Sequence, residues 1–133
     1  MSEGSVTRAS WERERAMDLK KLKLEKFKNI QVFNFPKDID LGVKSTKKNV
    51  EVIIYYIRQI EDLQRCLTLA DSISFPKENR VILVYEKGRK DGVDRNSIIG
   101  PFKTKKVKGF RLKPPMLCSI SETLSAFVLS KEV

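Results

Sequence analysis

Histidine is absent from these 133 residues. It is the commonest side chain for general acid–base work and for metal ligation. Without it there can be no Ser-His-Asp triad, no Cys-His dyad and no His-based zinc site. Cysteine is scarce: Cys66 and Cys118 stand far apart in apolar surroundings. Two are too few for a Cys-only structural zinc site within one chain, and the pair reads as two buried thiols in a reducing compartment, with no disulfide. No apolar run reaches the roughly 18 residues that a membrane-spanning helix needs. The opening stretch, Met1 to Arg15, is polar and charged and lacks the apolar region of a secretory signal. These absences predict a cytoplasmic protein with neither a membrane nor a disulfide partner.

Phosphate-binding glycine motifs are missing too. In "VILVYEKGRKDGVDRNSIIGPF" (81–102) an apolar run meets a basic, glycine-containing loop. A Walker A loop has four residues between its glycines and then Lys-Ser/Thr; Gly88 and Gly92 are separated by three, and Val93-Asp94 follow. No GxGxxG occurs anywhere. Asp91, Asp94 and Asn96 miss the alternating ligand positions of an EF-hand. The acidic pairs Asp38/Asp40 and Glu61/Asp62 have no evident partners and fit surface roles. No catalytic, cofactor-binding or metal-binding residue is therefore assigned.

What is present is enough to fold. Apolar residues make up 41% of the chain, which supports a real core in a single domain. Residues 1–9 are expected to be disordered and 10–133 to form that domain. Ser10 to Phe27 reads as an amphipathic helix capped by Ser10, with Ala16, Leu19 and Leu22 on its narrow apolar face. "NIQVFNFP" (29–36) alternates like a strand that Pro36 ends. "KDIDLGVKSTKKN" is a polar connection. "VEVIIYYI" (50–57) is almost continuously apolar and β-branched, as in a strand covered on both faces. Ile57, Ile60, Leu63, Leu67, Ala70 and Ile73 then recur at helical spacing, and "RVILVYEK" (80–87) is a second buried strand. Strand, helix and strand in succession form a βαβ unit. Asp94 is an N-cap for a short helix that Gly100-Pro101 should stop. A short strand is expected around Val107 to Leu112, interrupted at Pro114-Pro115. "MLCSI" and "LSAFVLS" read as a hairpin joined by "SET".

The fold class that follows is α/β: one compact domain with a mixed, mostly parallel sheet of about five strands. Flanking helices pack on the sheet, and a C-terminal antiparallel hairpin supplies its edge strands. A ligand of such a sheet is expected at the carboxyl ends of the parallel strands. There Asn34, Phe35 and Pro36, then Tyr55 and Tyr56, then Glu86 to Lys90 lie.

Charge is the strongest functional signal. The net charge is +10, and residues 80–133 hold twelve basic side chains against five acidic ones, whereas residues 30–79 hold seven of each. Between Lys87 and Lys113 stand Lys87, Arg89, Lys90, Arg95, Lys103, Lys105, Lys106, Lys108, Arg111 and Lys113, opposed only by Asp91 and Asp94. If half of them face one way, they should attract a polyanion such as nucleic acid. Within "KTKKVKGFRLK" (103–113), Phe110 is the aromatic that could stack on a base. Two plainer readings compete. The 87–95 loop is a solvated basic turn, and 103–113 is an edge strand whose lysines discourage pairing with other chains.

The tail resembles that of a family of small bacterial proteins with no assigned function. That family ends in a strand, an acidic turn of the type Asp-Glu-Thr, and then Trp-Ser-Ala/Gly-Leu-Arg-Phe. Ser121-Glu122-Thr123-Leu124-Ser125-Ala126-Phe127 is similar, with Leu124 in place of the tryptophan and Val128 where the family has a basic residue. "KLKLEKFKNIQVFNFPKDID" resembles the family's opening, and "VYEKGRKDGVDRNSI" resembles its strand, loop and helix start, with Glu86 replacing a proline. The resemblance runs over about residues 20–130. It implies a compact α/β domain with a central mixed sheet in a bacterial cytoplasm, and no activity.

Three functional readings remain: a non-enzymatic binding or regulatory domain, a weakly specific nucleic-acid-binding protein using 87–113, and a small-molecule-binding enzyme that works without histidine.

Overall fold

A computed structural model describes residues 19–37, 39 and 45–133. The expected disorder of 1–9 lies outside them, as does the first half of the expected Ser10–Phe27 helix and part of the 37–49 connection. At the described end of that helix, Leu19–Leu22 form one 3-10 turn. Lys23 then takes a left-handed φ of 55°, which no helix continues through. Leu22, Leu24 and Phe27 instead bury their side chains against the sheet.

Five strands form that sheet: β1 (Ile30–Phe33), β2 (Val52–Ile57), β3 (Arg80–Glu86), β4 (Phe110–Ser119) and β5 (Leu124–Lys131). Their order is β1-β2-β3-β5-β4. A single parallel bridge from Ser45 to Ile30 adds a one-residue sixth edge beside β1. β1, β2 and β3 run parallel, whereas β5 is antiparallel to both β3 and β4. The sheet is thus mixed, with two parallel strand pairings and the parallel Ser45 bridge against two antiparallel pairings, so the mostly parallel expectation is met only in part. β5 is also no edge strand: it returns beside β3 and lies inside the sheet, so that of the two hairpin strands only β4 is at a rim.

Two helices, α1 (Glu61–Ser72) and α2 (Arg95–Lys103), connect the strands. They pack on one face through Leu63, Cys66 and Leu67 of α1 and Ile98, Ile99 and Phe102 of α2. Ile53, Tyr55, Val81, Leu83 and Phe127 meet them from the sheet. The opposite face carries Ile54, Tyr56, Ile82, Val84 and Val128 and is covered by Leu22, Leu24, Phe27 and Ile120. Burial on both faces is why β2 and β3 read as unbroken apolar runs. Ile57 belongs to β2, so α1 starts later than its apolar spacing suggests.

Two expected stops do not stop anything. α2 runs through Gly100-Pro101 to Lys103. A residue before proline is pushed out of the helical region partly by its own Cβ, and Gly100 has none. β4 is one strand through Pro114-Pro115, which fall in an irregularity between Leu112 and Leu117. An edge strand tolerates proline because its outer side has no ladder to lose. The strand also begins at Phe110, not Val107. The turn between β4 and β5 forms as the hairpin reading expects: Thr123 N–H and Leu124 N–H donate to Ser121 Oγ at 3.2 and 3.0 Å.

Candidate functional site

The parallel strands fix two ends of the molecule. Their carboxyl ends carry the 87–95 loop and the start of α2. α2 then runs about 14 Å along its axis, at about 1.5 Å per residue over its nine residues. It delivers the chain to the other end, where β4 starts with Phe110 opposite Lys131. The basic segment is therefore divided. Lys87, Arg89, Lys90 and Arg95 belong to the first end. Lys103, Lys105, Lys106, Lys108, Arg111 and Lys113 follow toward the second. The ten do not form one face.

At the carboxyl ends, the place where an anion would sit is taken by the protein's own carboxylate. Asp62, in the first turn of α1, is buried. Its Oδ2 accepts Arg58 N–H at 2.9 Å, Gln59 N–H at 3.2 Å and Asn34 Nδ2–H at 3.2 Å. Its Oδ1 accepts Arg65 at 2.8 Å. Burial alone would push this carboxyl up, but the hydrogen bonds from Arg65, Arg58 and Gln59 outweigh it and hold Asp62 below the ordinary carboxylate range. The surface role expected for Asp62 is thus corrected. Only part of this is local in the sequence: Arg58, Gln59 and Arg65 lie within four residues of Asp62, whereas Asn34 reaches it from 28 residues away.

Two cations of the 87–95 loop are likewise committed. Lys87 Nζ donates to Ser119 Oγ and, at 2.8 Å, to Ser121 O, tying the loop to the β4–β5 turn. Arg89 pairs with Asp91, its Nε donating at 3.0 Å, and also donates to Arg58 O. The solvated, self-paired turn is the reading that fits these contacts. Asp94 caps α2 as expected, accepting Ser97 N–H at 2.8 Å.

The other end is different. Lys103, Lys105, Lys106 and Lys108 are exposed and form no ion pair with any described residue. Lys103 ends α2, and the other three sit on a loop held at defined points. Lys105 takes a left-handed φ of 61° just past α2, and Val107 N–H donates to Pro101 O at 3.1 Å. Glu132 N–H donates to Gly109 O at 2.8 Å. Beside it, Arg111 and Lys113 share a hollow of about 200 Å³ with Lys77, Lys131, Glu78 and Glu132. Arg111 reaches Glu132 only at 3.8 Å, with both side chains largely in solvent, so that pair neutralises little.

Phe110 is not available for stacking. Its ring packs edge-on to Phe102, with centroids 5.9 Å apart, and carries Lys131 Nζ at 5.3 Å on a face. Val107 and Leu112 also pack on the core. The lysines of 103–108 precede the strand rather than alternate along it. Any contact with a polyanion here runs through charge.

Among the described residues, no group of three or more Cys, Asp or Glu is placed to hold a metal ion. No described helix is long and apolar enough to cross a membrane. Comparison with protein-family models, with curated proteins and with solved structures finds no match.

Proposed function

We propose that this chain is a non-enzymatic binding domain whose partner is a polyanion of the nucleic-acid type. The partner is met at the end of the sheet where α2 stops and β4 starts. The observation that carries this reading is the run of four exposed lysines, Lys103, Lys105, Lys106 and Lys108, without an ion pair among the described residues. They adjoin a hollow lined by Arg111, Lys113, Lys77 and Lys131 together with Glu78 and Glu132, Lys131 being paired with Asp71. Like charges held together on an anchored loop repel one another, and a row of phosphates relieves that repulsion while releasing counterions. Some of the same lysines also suit the negative C-terminal end of α2. That need is met by one or two cations, not by six.

Readout of base edges is not part of this reading, because the one aromatic of the strip is engaged in the core. Binding should be nearly indifferent to sequence and should fall steeply with salt. The test is a titration of labelled single- and double-stranded DNA and RNA at about 50 mM salt. Lys105→Glu with Lys106→Glu should abolish binding. Lys90→Glu, at the opposite end, should leave it intact. No binding below about 100 μM, the weak end of ordinary non-specific affinity, defeats the proposal. Equal loss from Lys90→Glu would defeat the assignment to one end.

A further inference from the structure

A second concave feature lies on the helical face, between α2 and the irregular stretch of β4. Its volume is about 350 Å³, at the low end of the roughly 300–1,000 Å³ typical of small-ligand sites. Ile99, Leu112, Leu117 and Phe127 give it an apolar lining. Gly100 also lines it, and a Cβ placed there would face open space, with nothing within 4 Å. Met116, on the β4 side, is 43% exposed and is one of few large apolar side chains so exposed among the described residues. An unbranched thioether adapts its shape to what it touches, which suits a wall that must fit a ligand.

The rim is cationic. Arg95, Ile99 and Lys103 follow one another at i, i+4 and i+8, so a single ridge of α2 presents a cation, an apolar contact and a second cation. Neither Arg95 nor Lys103 forms an ion pair among the described residues. Asn96 stands beside Arg95 on the same rim. The nearest carboxylate in sequence, Asp94, is occupied in capping Ser97 N–H.

We propose that this groove binds a small amphiphilic anion: an apolar body with one carboxylate, sulfonate or phosphate headgroup. The body lies against Ile99, Leu117 and Phe127, and the headgroup meets Arg95 with Asn96 beside it. Arg95 suits a headgroup better than Lys103, because its planar fork matches a carboxylate or phosphate bidentately and the Asn96 amide adds donors. Lys103, about 12 Å further along the helix at about 1.5 Å per residue, adds attraction without a second donor group. The two readings share Lys103, but the headgroup site rests on Arg95 and the polyanion reading on the lysines of the loop beyond α2.

Decanoate below its micelle concentration is the probe, with decanol and decyltrimethylammonium as matched controls, followed by calorimetry and by amide chemical shifts. Decanoate should bind and shift Ile99, Leu112 and Leu117; decanol should bind at least about tenfold more weakly, and the ammonium not at all. Arg95→Gln should weaken decanoate at least about tenfold, and Lys103→Gln less. Asn96→Trp, a change at an exposed helix position, should block the groove while circular dichroism stays unchanged. Lys105→Glu with Lys106→Glu should retain binding. Failure of decanoate to bind below about 1 mM overturns the proposal, as does equal affinity for decanol or indifference to both Arg95→Gln and Asn96→Trp.

Discussion

Asp62 ties the end of β1, through Asn34, to the β2–α1 junction, through Arg58 and Gln59, and to α1 itself, through Arg65. Its replacement by alanine leaves two backbone N–H groups without their acceptor, at a cost of about 2–3 kcal/mol. Asparagine keeps an acceptor and should cost less. Because the folded pKa is depressed, the contribution is complete above the unfolded value near 3.9 and is lost as pH falls through the lower folded value. Urea unfolding between about pH 5 and pH 2 should therefore be less pH-dependent in Asp62→Asn than in the wild type, and equal slopes would remove Asp62 from the account. Asn79 does a similar job on the far side. It is fully buried, donates to Pro76 O and Lys131 O, and accepts Lys131 N–H at 2.7 Å. The bond from Asn34 to Asp62 and those between Asn79 and Lys131 are not legible in the sequence, since each depends on which distant segment arrives at the side chain. Asp94 is legible, because a cap acts within three residues. Cys66 matches its sequence reading, with burial pushing its thiol up to about 12, whereas Cys118 is only half-buried.

At the scale of elements, β2 and β3 are plain in the sequence and are buried along almost their whole length. Ile54 and Ile82 are direct neighbours in their parallel register, and both have no exposed surface. Truncation of either to alanine should destabilise the domain by about 2–5 kcal/mol in denaturant titrations. Because the two side chains share one packing site, the double variant should depart from additivity by at least about 0.5 kcal/mol. A loss under 1 kcal/mol at both positions would contradict the packing described. The element boundaries were harder. Proline and glycine usually punctuate, yet Gly100-Pro101 and Pro114-Pro115 are absorbed, the first by a missing Cβ and the second by an edge position. Which strand forms the edge is a property of the sheet order, and sheet order is set by long-range pairing that no local pattern encodes. The same holds for the candidate site: the ten basic residues are plain in the sequence, but their division between two ends follows from the course of α2.

Over the whole molecule, the net charge of +10 acts against compactness. Added salt screens that repulsion, so the thermal midpoint should rise from about 10 mM to 150 mM NaCl, while polyanion affinity falls over the same range. A midpoint that falls with salt would mean that paired charges outweigh the excess lysines. The strand order has a different kind of consequence. β5 fills the gap between β3 and β4, although it follows both in the chain. A growing polypeptide therefore emerges with β3 complete on one side only, and β4 has nothing to join until Leu124–Lys131 have been made. For as long as the ribosome takes to add about 45 residues, Val81 to Tyr85 keep a bare, strongly apolar ladder edge. Synthesis, rather than the finished protein, is when this chain is most exposed to pairing with the wrong neighbour.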